Sequence, residues 1–189
     1  MSKVLRKADG SLLIDLARSS ISSVFTSQEI EISDTIRSKF CYKSGVFVTL
    51  RKFGRLRGCV GFARTSVPLY ASVVDAAKKA AFQDPRFSPL TEEELSKIEI
   101  EVSLLSEPEM LSNEDPSYVI KNLVVGKDGI IFSNDDFSGL VLPNMNSGQE
   151  WSVEDFLKYA CTRLGFNEVA WLDPRSRLYK FRAKMFNEG

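Results

Sequence analysis

The clearest pattern along the chain is a set of three stretches in which hydrophobic residues recur every three or four positions. Residues 11–25 show this spacing and predict an amphipathic helix. A second helix is predicted from Val67 to about residue 82, where alanines and valines form a small apolar face. The third begins after Ser152, carries an apolar stripe suited to burial, and ends at Gly165, a fitting C-terminal cap.

Other stretches alternate between apolar and polar residues, which is the pattern of a half-buried β-strand. This alternation predicts strands at residues 98–104 and 178–186, and a further strand is expected at 137–142. Residues 92–96 predict a short helix. Residues 27–44 are mixed and polar, and they fit either a short helix or an extended loop.

Residues 45–63 predict a β-hairpin, because a strongly β-forming run is followed by a glycine and then by a second run. A two-residue turn of Gly54-Arg55 would set Lys52 opposite Arg57. Since side chains alternate along strands, this register places four residues on one face, namely Lys52, Arg57, Cys59 and Gly61. The prediction is a polar face on which a thiol lies beside two cations.

Residues 124–132 predict a second hairpin, with Asp128 and Gly129 in its turn. Hairpins dominate and strict strand–helix–strand alternation is absent. The expected fold class is therefore α+β, with a largely antiparallel or mixed β-sheet and helices packed on it. The length of 189 residues suggests a single domain, 1–189, in which a small subdomain could form at about 90–145.

Composition narrows the chemistry mainly through what the sequence lacks. It has no histidine, which removes Ser-His and Cys-His catalysis and every histidine-ligated metal site. Its 25 lysines and arginines balance 25 aspartates and glutamates, so the global positive field of a nonspecific nucleic-acid binder is missing. No run of 18 apolar residues occurs, so we expect no membrane-spanning segment.

The cysteines, Cys41, Cys59 and Cys161, are too few and too widely spaced for a disulfide framework or a zinc site. We expect reduced thiols in a cytoplasmic protein, and the N-terminal residues lack the pattern of a secretory signal. Cys161 lies on the apolar stripe of its predicted helix and is expected to pack in the core. Cys59 is the candidate for chemistry.

The stretch around Cys59 has several interpretations. The thiol could be a catalytic nucleophile, could contact a ligand without reacting, or could be a small buried residue. Gly58 and Gly61 would let a ligand approach the backbone closely, or would make room for the second helix. Arg57 could bind a carboxylate or phosphate bidentately, or could form an internal salt bridge, for instance to Asp84.

A cluster of cations next to aromatic residues gives a further alternative, the binding of single-stranded RNA. The cluster consists of Arg51, Lys52, Arg55 and Arg57, next to Phe47 and Phe53. The same composition is typical of a solvated hairpin tip, and the neutral net charge argues against nucleic acid.

Several motifs, taken together and in order, resemble those of the AMMECR domain family, which is named after a human syndrome. They are Leu56-Arg57-Gly58-Cys59-Val60-Gly61, Ala80-Ala81-Phe82-Gln83-Asp84-Pro85-Arg86-Phe87, Val102-Ser103-Leu104-Leu105, Val141-Leu142-Pro143, and Trp151 followed by Phe156-Leu157 and Cys161. The resemblance covers nearly the whole chain.

The resemblance implies an α+β fold of two subdomains around a cleft, with the Leu56–Gly61 signature near it. It implies no established activity and no cofactor. Related proteins occur beside, or fused to, a Memo-type dioxygenase-like protein and a radical S-adenosylmethionine enzyme, which implies these two as partners in a modification pathway. Asn144 departs from the family, which usually has Gln at that position, whereas Glu150 keeps a carboxylate next to Trp151.

We therefore expect a cytoplasmic cleft protein that binds a small anionic ligand or a protein segment in a modification pathway. The candidate ligand-binding residues are Lys52, Arg57, Gly58, Gly61, Asp84, Arg86, Asn144, Glu150 and Trp151. Arg86 also fits a structural turn, and Trp151 also fits a staple at the start of a helix. The alternatives are a cysteine-dependent enzyme that uses Cys59, and an RNA-binding or scaffold protein.

Overall fold

The contacts in a computed structural model divide the chain into two compact units. The first comprises Met1–Leu104 and Lys184–Gly189, and the second comprises Leu105–Ala183. The structure describes residues 5–111, 115–134, 138–143 and 150–188.

Helices and antiparallel strand pairs alternate along the described residues, so the predicted α+β class is confirmed. The helices are α1 (Lys7–Thr26), α2 (Asp34–Lys39), α3 (Leu69–Phe82), α4 (Pro116–Asn122) and α5 (Val153–Arg163), with short 3-10 helices at Glu92–Lys97 and Ala170–Leu172. The strands are β1 (Val46–Lys52), β2 (Arg55–Phe62), β3 (Ile98–Leu105), β4 (Glu109–Leu111), β5 (Asp128–Ser133), β6 (Ser138–Val141) and β7 (Arg177–Asn187).

In the first unit, β1 lies between β2 and β3, and all three strands are antiparallel to their neighbours. Alternation along β1 buries Val46, Val48 and Leu50. Helix α3 packs on β1 and β2, and α1 packs on α3. Because α3 buries small side chains such as Ala77 and Ala80, its backbone comes close to the sheet.

The last residues of β7 and its extension complete the first unit. The Glu188 carboxylate accepts hydrogen bonds from Arg18 Nε at 2.6 Å and from the Ile100 N–H at 2.9 Å. Gly10 makes room for the Phe186 ring, since a Cβ at Gly10 would lie 2.0 Å from it. Residues far apart in sequence therefore share one core.

In the second unit, β5 lies between β6 and β7, and β4 pairs with β7. The apolar stripe of α5, which includes Phe156, Leu157 and Cys161, is buried in the core of this unit, as the spacing predicted. Gly165 has a positive φ of 84° just beyond the helix end, and this confirms its predicted role as a C-terminal cap.

The helices predicted from hydrophobic spacing are confirmed as α1, α3 and α5, and the alternating strands as β3 and β7. Helix α1 begins earlier than predicted, because the Asp9 carboxylate accepts the Arg6 N–H at 2.6 Å and stabilises the first turn. The open stretch 27–44 contains the short helix α2. The short helix predicted at 92–96 is a 3-10 helix, and the strand predicted at 137–142 is β6, with residue 137 outside the described residues.

The hairpin predicted at 124–132 is wrong. Asp128 and Gly129 belong to β5, and the turn before them contains Gly126, with a φ of 80°. The buried Asp128 carboxylate accepts the Val124 N–H at 2.8 Å, so it holds this turn from within the strand. Strand β4 and the 3-10 helix at Ala170–Leu172 were not predicted.

None of the helices within the described ranges has both the length and the apolar composition needed to cross a membrane. The cytoplasmic location, the single domain 1–189 with a small subdomain at about 90–145, and the cleft implied by the family resemblance stay predictions.

Candidate functional site

The turn of the β1–β2 hairpin consists of Phe53 and Gly54, one position earlier than predicted. Their φ angles are 51° and 74°, and two positive values are typical of a type I′ turn. Lys52 therefore pairs with Arg55, and the predicted Gly54-Arg55 turn is wrong. This turn could not be predicted from the sequence, because phenylalanine is rare where the backbone needs a positive φ.

A β-bulge just after the turn separates the cations from the thiol. The register shifts beyond Leu50, so Arg57 is an extra residue and Cys59 pairs with Thr49. Thr49 and Lys52 are three positions apart on β1, so their side chains lie on opposite faces. Cys59 therefore lies on the face opposite Lys52, and the predicted polar face of Lys52, Arg57 and Cys59 does not form.

Glu94 gathers the two cations instead. Arg57 donates from Nε and Nη2 to the two Glu94 oxygens at 3.1 and 2.8 Å, and Lys52 Nζ lies 2.8 Å from Oε1. Arg57 also donates to the carbonyls of Ser88 and Pro89. Arg57, and then Lys52, hold the pKa of Glu94 well below its usual range. The internal salt bridge considered for Arg57 is thus present, with Glu94 as its partner.

Asp84 and Arg86 occupy the outer edge of β2, where they form what we call the edge clamp. Asp84 Oδ2 accepts the Cys59 N–H at 2.8 Å, and Arg86 Nη2 donates to the Cys59 carbonyl at 3.2 Å. These are the two hydrogen bonds that a neighbouring strand would make. The hydrogen bonds from Arg86 hold the pKa of Asp84 at about 2, so the carboxylate is charged.

The Cys59 thiol is half-buried and accepts a hydrogen bond from Thr49 Oγ1 at 3.3 Å. Burial raises the pKa of this thiol, and it outweighs both the Thr49 hydroxyl and the nearby Arg86 guanidinium, which act to lower it. A protonated thiol is a weak nucleophile. The electrostatics around Cys59 therefore do not favour the cysteine-enzyme hypothesis.

The two signature glycines allow close packing within the fold. A Cβ at Gly58 would lie 2.1 Å from the Ala80 carbonyl oxygen in α3, and one at Gly61 would lie 2.2 Å from the Val46 carbonyl oxygen. The space that each glycine leaves is thus occupied by backbone of this chain. This is the packing alternative to a ligand contact.

The remaining candidates belong to the second unit or lie outside the described residues. Trp151 directly precedes the α5 cap, and its ring centroid lies 6.3 Å from that of Phe156 and 4.7 Å from that of Tyr159. Trp151, just before the cap, and Phe156, the fourth residue of the helix, occupy the two positions of a hydrophobic staple. This is the alternative considered for Trp151. Glu150 is exposed. Asn144 lies outside the described residues.

Residues 53–56 are the most exposed part of the hairpin. We define the hairpin tip as Phe53, Arg55 and Leu56 together with the half-buried Arg51, which pairs with Leu56. Phe53 is 78% exposed and Leu56 is 38% exposed. Arg55 is exposed as well, and Lys52 Nζ lies 6.0 Å from the centroid of the Phe53 ring. The hairpin tip thus combines apolar surface with positive charge.

Sequence reasoning missed Glu94 and Thr49 as parts of this region, and it included Leu56 in the family signature without assigning it a role. Glu94 had a detectable signal, because Thr91 and Glu94 have the spacing of a capping box, which the structure contains. The contact of Thr49 with Cys59 and the exposure of Leu56 had no signal, since both depend on the turn and on the bulge. In the part of the chain that the structure describes, no group of three or more cysteine, aspartate or glutamate side chains could hold a metal ion.

Proteins of similar sequence occur in archaea. A protein of Nanoarchaeum equitans, NEQ441, is 36% identical over 177 residues, which cover 93% of this chain and 98% of that protein. A protein of Methanothermobacter thermautotrophicus is 37% identical over 185 residues, covering 97% and 96% of the two chains.

The fold has a counterpart among solved structures. The crystal structure of the uncharacterized protein PH0010 from Pyrococcus horikoshii matches with a TM-score of 0.86 at 36% identity, over 95% of this chain and 91% of that one. The AMMECR1 family model matches residues 14–186. The motifs, the fold and these relatives agree, and the chain belongs to the AMMECR1 family.

Proposed function

We propose that this member of the family is a cytoplasmic binding protein whose hairpin tip recognises a protein segment that is both acidic and apolar. The observation that carries the proposal is Phe53, an aromatic ring that is 78% exposed on backbone with a φ of 51°. A non-glycine residue in such backbone costs roughly 1 kcal/mol, and such residues cluster at functional sites. Together with Leu56, the ring offers a partner an apolar contact of the kind that dominates interface energetics.

The charge around Phe53 selects the chemistry of the segment. In the sequence, Phe53 lies between Arg51-Lys52 and Arg55. Lys52 is paired with Glu94, and Arg51 lies opposite Glu99 in β3. Arg55 is exposed and forms no ion pair with any residue in the described ranges. Glu94 is also the partner of Arg57, so four cations share two carboxylates. The excess positive charge favours carboxylate-bearing partners.

A protein segment fits this surface better than RNA does. Sequence-tolerant RNA binding uses several aromatic platforms on which successive bases stack. At the hairpin, Phe53 is exposed but Phe47 is only partly so, and Arg57 is directed to Glu94. One platform and a neutralised cation are a poor RNA surface, whereas the exposed apolar side chains of Phe53 and Leu56 suit a protein segment.

The same geometry argues against a small anion held by Arg57. The Arg57 guanidinium already donates to Glu94, Ser88 and Pro89, and its side chain is only 13% exposed. A ligand there would have to displace an ion pair inside the fold. For the acidic segment, we propose the Memo-type protein and the radical S-adenosylmethionine enzyme implied by the family resemblance as candidate sources.

The test uses a fluorescent peptide of alternating glutamate and leucine, about ten residues long so that it can span a hairpin tip. Fluorescence anisotropy measures its binding to the full chain. We expect Phe53→Asn to weaken binding by about tenfold, because the apolar anchor is lost while the turn is kept. We expect Arg55→Gln to weaken binding by about threefold and to reduce its dependence on salt.

Two comparisons make the test decisive. Lys7→Gln, which removes an exposed charge from α1, should leave peptide binding unchanged. A lysine–leucine peptide should not bind. Equal binding of the acidic peptide to Phe53→Asn would refute the hairpin tip as the site. Tighter binding of oligouridine than of the peptide, lost in Phe53→Asn, would favour the RNA alternative.

A further inference from the structure

A polar pocket with a volume of about 200 Å³ lies within the second unit, between residues 106–109 and β7. Ser106 donates its N–H to the Arg182 carbonyl at 2.8 Å, and the Arg182 N–H donates to Ser106 Oγ at 2.9 Å. Glu109 pairs with Lys180. Three steps from Ser106 to Glu109 therefore face two steps on β7, so this segment has one residue more than the part of β7 that it faces.

The walls of this pocket carry charges of both signs. Asp128, which is 2% exposed, accepts from Arg182 Nε at 3.2 Å. Lys180 Nζ donates to the Asn122 carbonyl at 3.0 Å and lies 3.5 Å from Glu109 Oε2. An ammonium group has three donors, so Lys180 can serve one more acceptor.

Two groups of the pocket keep capacity for a ligand. The Arg182 side chain is 68% exposed, and within the described ranges its two Nη groups donate to no protein atom. The Glu107 side chain is exposed and forms no ion pair with any described residue. An open guanidinium fork thus lies in the same pocket as an open carboxylate.

We propose that this pocket binds a small zwitterion of the α-amino acid type. The ligand carboxylate accepts hydrogen bonds from the Nη groups of Arg182 and from the third donor of Lys180. The ligand ammonium lies between the carboxylates of Glu107 and Glu109. A simple anion would meet three carboxylates, and a simple cation would meet Lys180 and Arg182. Pockets for drug-sized ligands have volumes of roughly 300–1,000 Å³, so this smaller pocket suits a small amino acid.

The proposal is independent of the hairpin tip, because its residues belong to the second unit alone. The experiment is an NMR titration of the ¹⁵N-labelled full chain with L-alanine, propionate and ethylamine. Propionate lacks the ammonium of alanine, and ethylamine lacks its carboxylate. We expect saturable shifts of the Ser106, Asp128 and Arg182 amides with L-alanine, with a Kd of about 1 mM, and at least about tenfold weaker effects with the other two.

Matched variants assign the binding to the pocket. Arg182→Gln should weaken L-alanine binding by about tenfold and Glu107→Gln by about threefold. Arg182→Gln also removes a charged donor from the buried Asp128 carboxylate, which keeps the Val124 N–H, so some loss of stability is expected and the amide spectrum of the variant checks that it is folded. Glu107 is exposed and forms no ion pair with any described residue, so Glu107→Gln should leave the fold intact. Arg175→Gln, which removes another exposed arginine of the second unit, should change nothing. The proposal is overturned by the absence of saturable shifts with L-alanine, by equal affinity for propionate or ethylamine, or by unchanged affinity in Arg182→Gln.

Discussion

The tripeptide Asp-Pro-Arg occurs once in each unit, with the same local geometry in different surroundings. At residues 84–86, the Asp84 carboxylate accepts the backbone N–H, Nε and Nη2 of Arg86 at 3.1, 2.9 and 2.7 Å. At residues 173–175, Asp173 accepts the same three groups of Arg175 at 3.0, 3.1 and 2.8 Å. The pKa of each carboxyl group is held at about 2 by its arginine.

The two copies differ in what surrounds them. The Asp84 side chain is 3% exposed and also holds the Cys59 N–H, whereas the Asp173 and Arg175 side chains are 36% and 84% exposed. A depressed pKa alone therefore does not reveal how much a carboxylate contributes to the fold. The contribution depends on the desolvated groups that the carboxylate satisfies.

The largest difference between the two copies is expected for the carboxylates themselves. Asp84→Asn should lower the free energy of unfolding by about 2–4 kcal/mol, because it breaks a buried ion pair and turns an amide toward N–H donors. Asp173→Asn should change it by less than about 0.5 kcal/mol, because exposed ion pairs contribute little. Urea denaturation of both variants measures the difference. Equal losses would show that the edge clamp is no more important than its exposed copy.

Acid should reveal the same carboxylate in the unmodified protein. The pKa of Asp84 is about 2 in the fold against a usual value of 3.8, so its contribution is complete above pH 3.8 and is lost as the pH falls toward 2. This loss amounts to roughly 2 kcal/mol. Urea midpoints measured from pH 5 to pH 2 should fall less steeply for Asp84→Asn than for the unmodified chain. Parallel slopes would contradict the role assigned to Asp84.

Replacing the arginines should have a smaller effect. Arg86→Gln should lower the free energy of unfolding by about 1–2 kcal/mol, because the Cys59 carbonyl and the buried Asp84 carboxylate lose a charged donor. Arg175→Gln should leave stability within about 0.5 kcal/mol. Amide hydrogen exchange along β2 should also accelerate in Arg86→Gln alone. Unchanged exchange at β2 would mean that Arg86 does not secure the strand edge.

The smallest effect should be shared by both copies. Pro85→Ala and Pro174→Ala should each cost roughly 0.5–1 kcal/mol, because proline restricts the unfolded chain at either position. Both prolines are exposed, so neither substitution should leave a cavity. Thermal unfolding of the two variants gives the comparison. A much larger loss for Pro85→Ala would extend the contrast between the copies to the turn itself.

Hydrophobic spacing located α1, α3 and α5 because the face that a helix buries determines both its sequence and its position. Alternation located β3 and β7 for the same reason. The predicted face of Cys59 in β2 was wrong, because one extra residue, Arg57, reverses the faces of the residues that follow it. No local pattern marks such a bulge.

At the candidate site too, some residues could be predicted from the sequence and one pairing could not. The family motifs pointed to Asp84, Arg86 and Cys59, and the structure brings these three residues together. The partner of Arg57 could not be predicted, because Glu94 lies 37 positions away and the pairing depends on how the 3-10 helix packs. Which charged residues meet is decided by tertiary packing, and alternation carries no information on it.

The contribution of Glu188 to the first unit has a consequence for synthesis. Arg18 is translated early, but the carboxylate that it binds emerges only after the whole second unit has been made. A ribosome-bound chain can therefore fold residues 105–183 while the first unit still lacks the strand end that supports Ile100. In nascent chains truncated before Lys184, we expect proteases to cleave the first unit more readily than in the full chain. The order of translation is then part of how this protein folds.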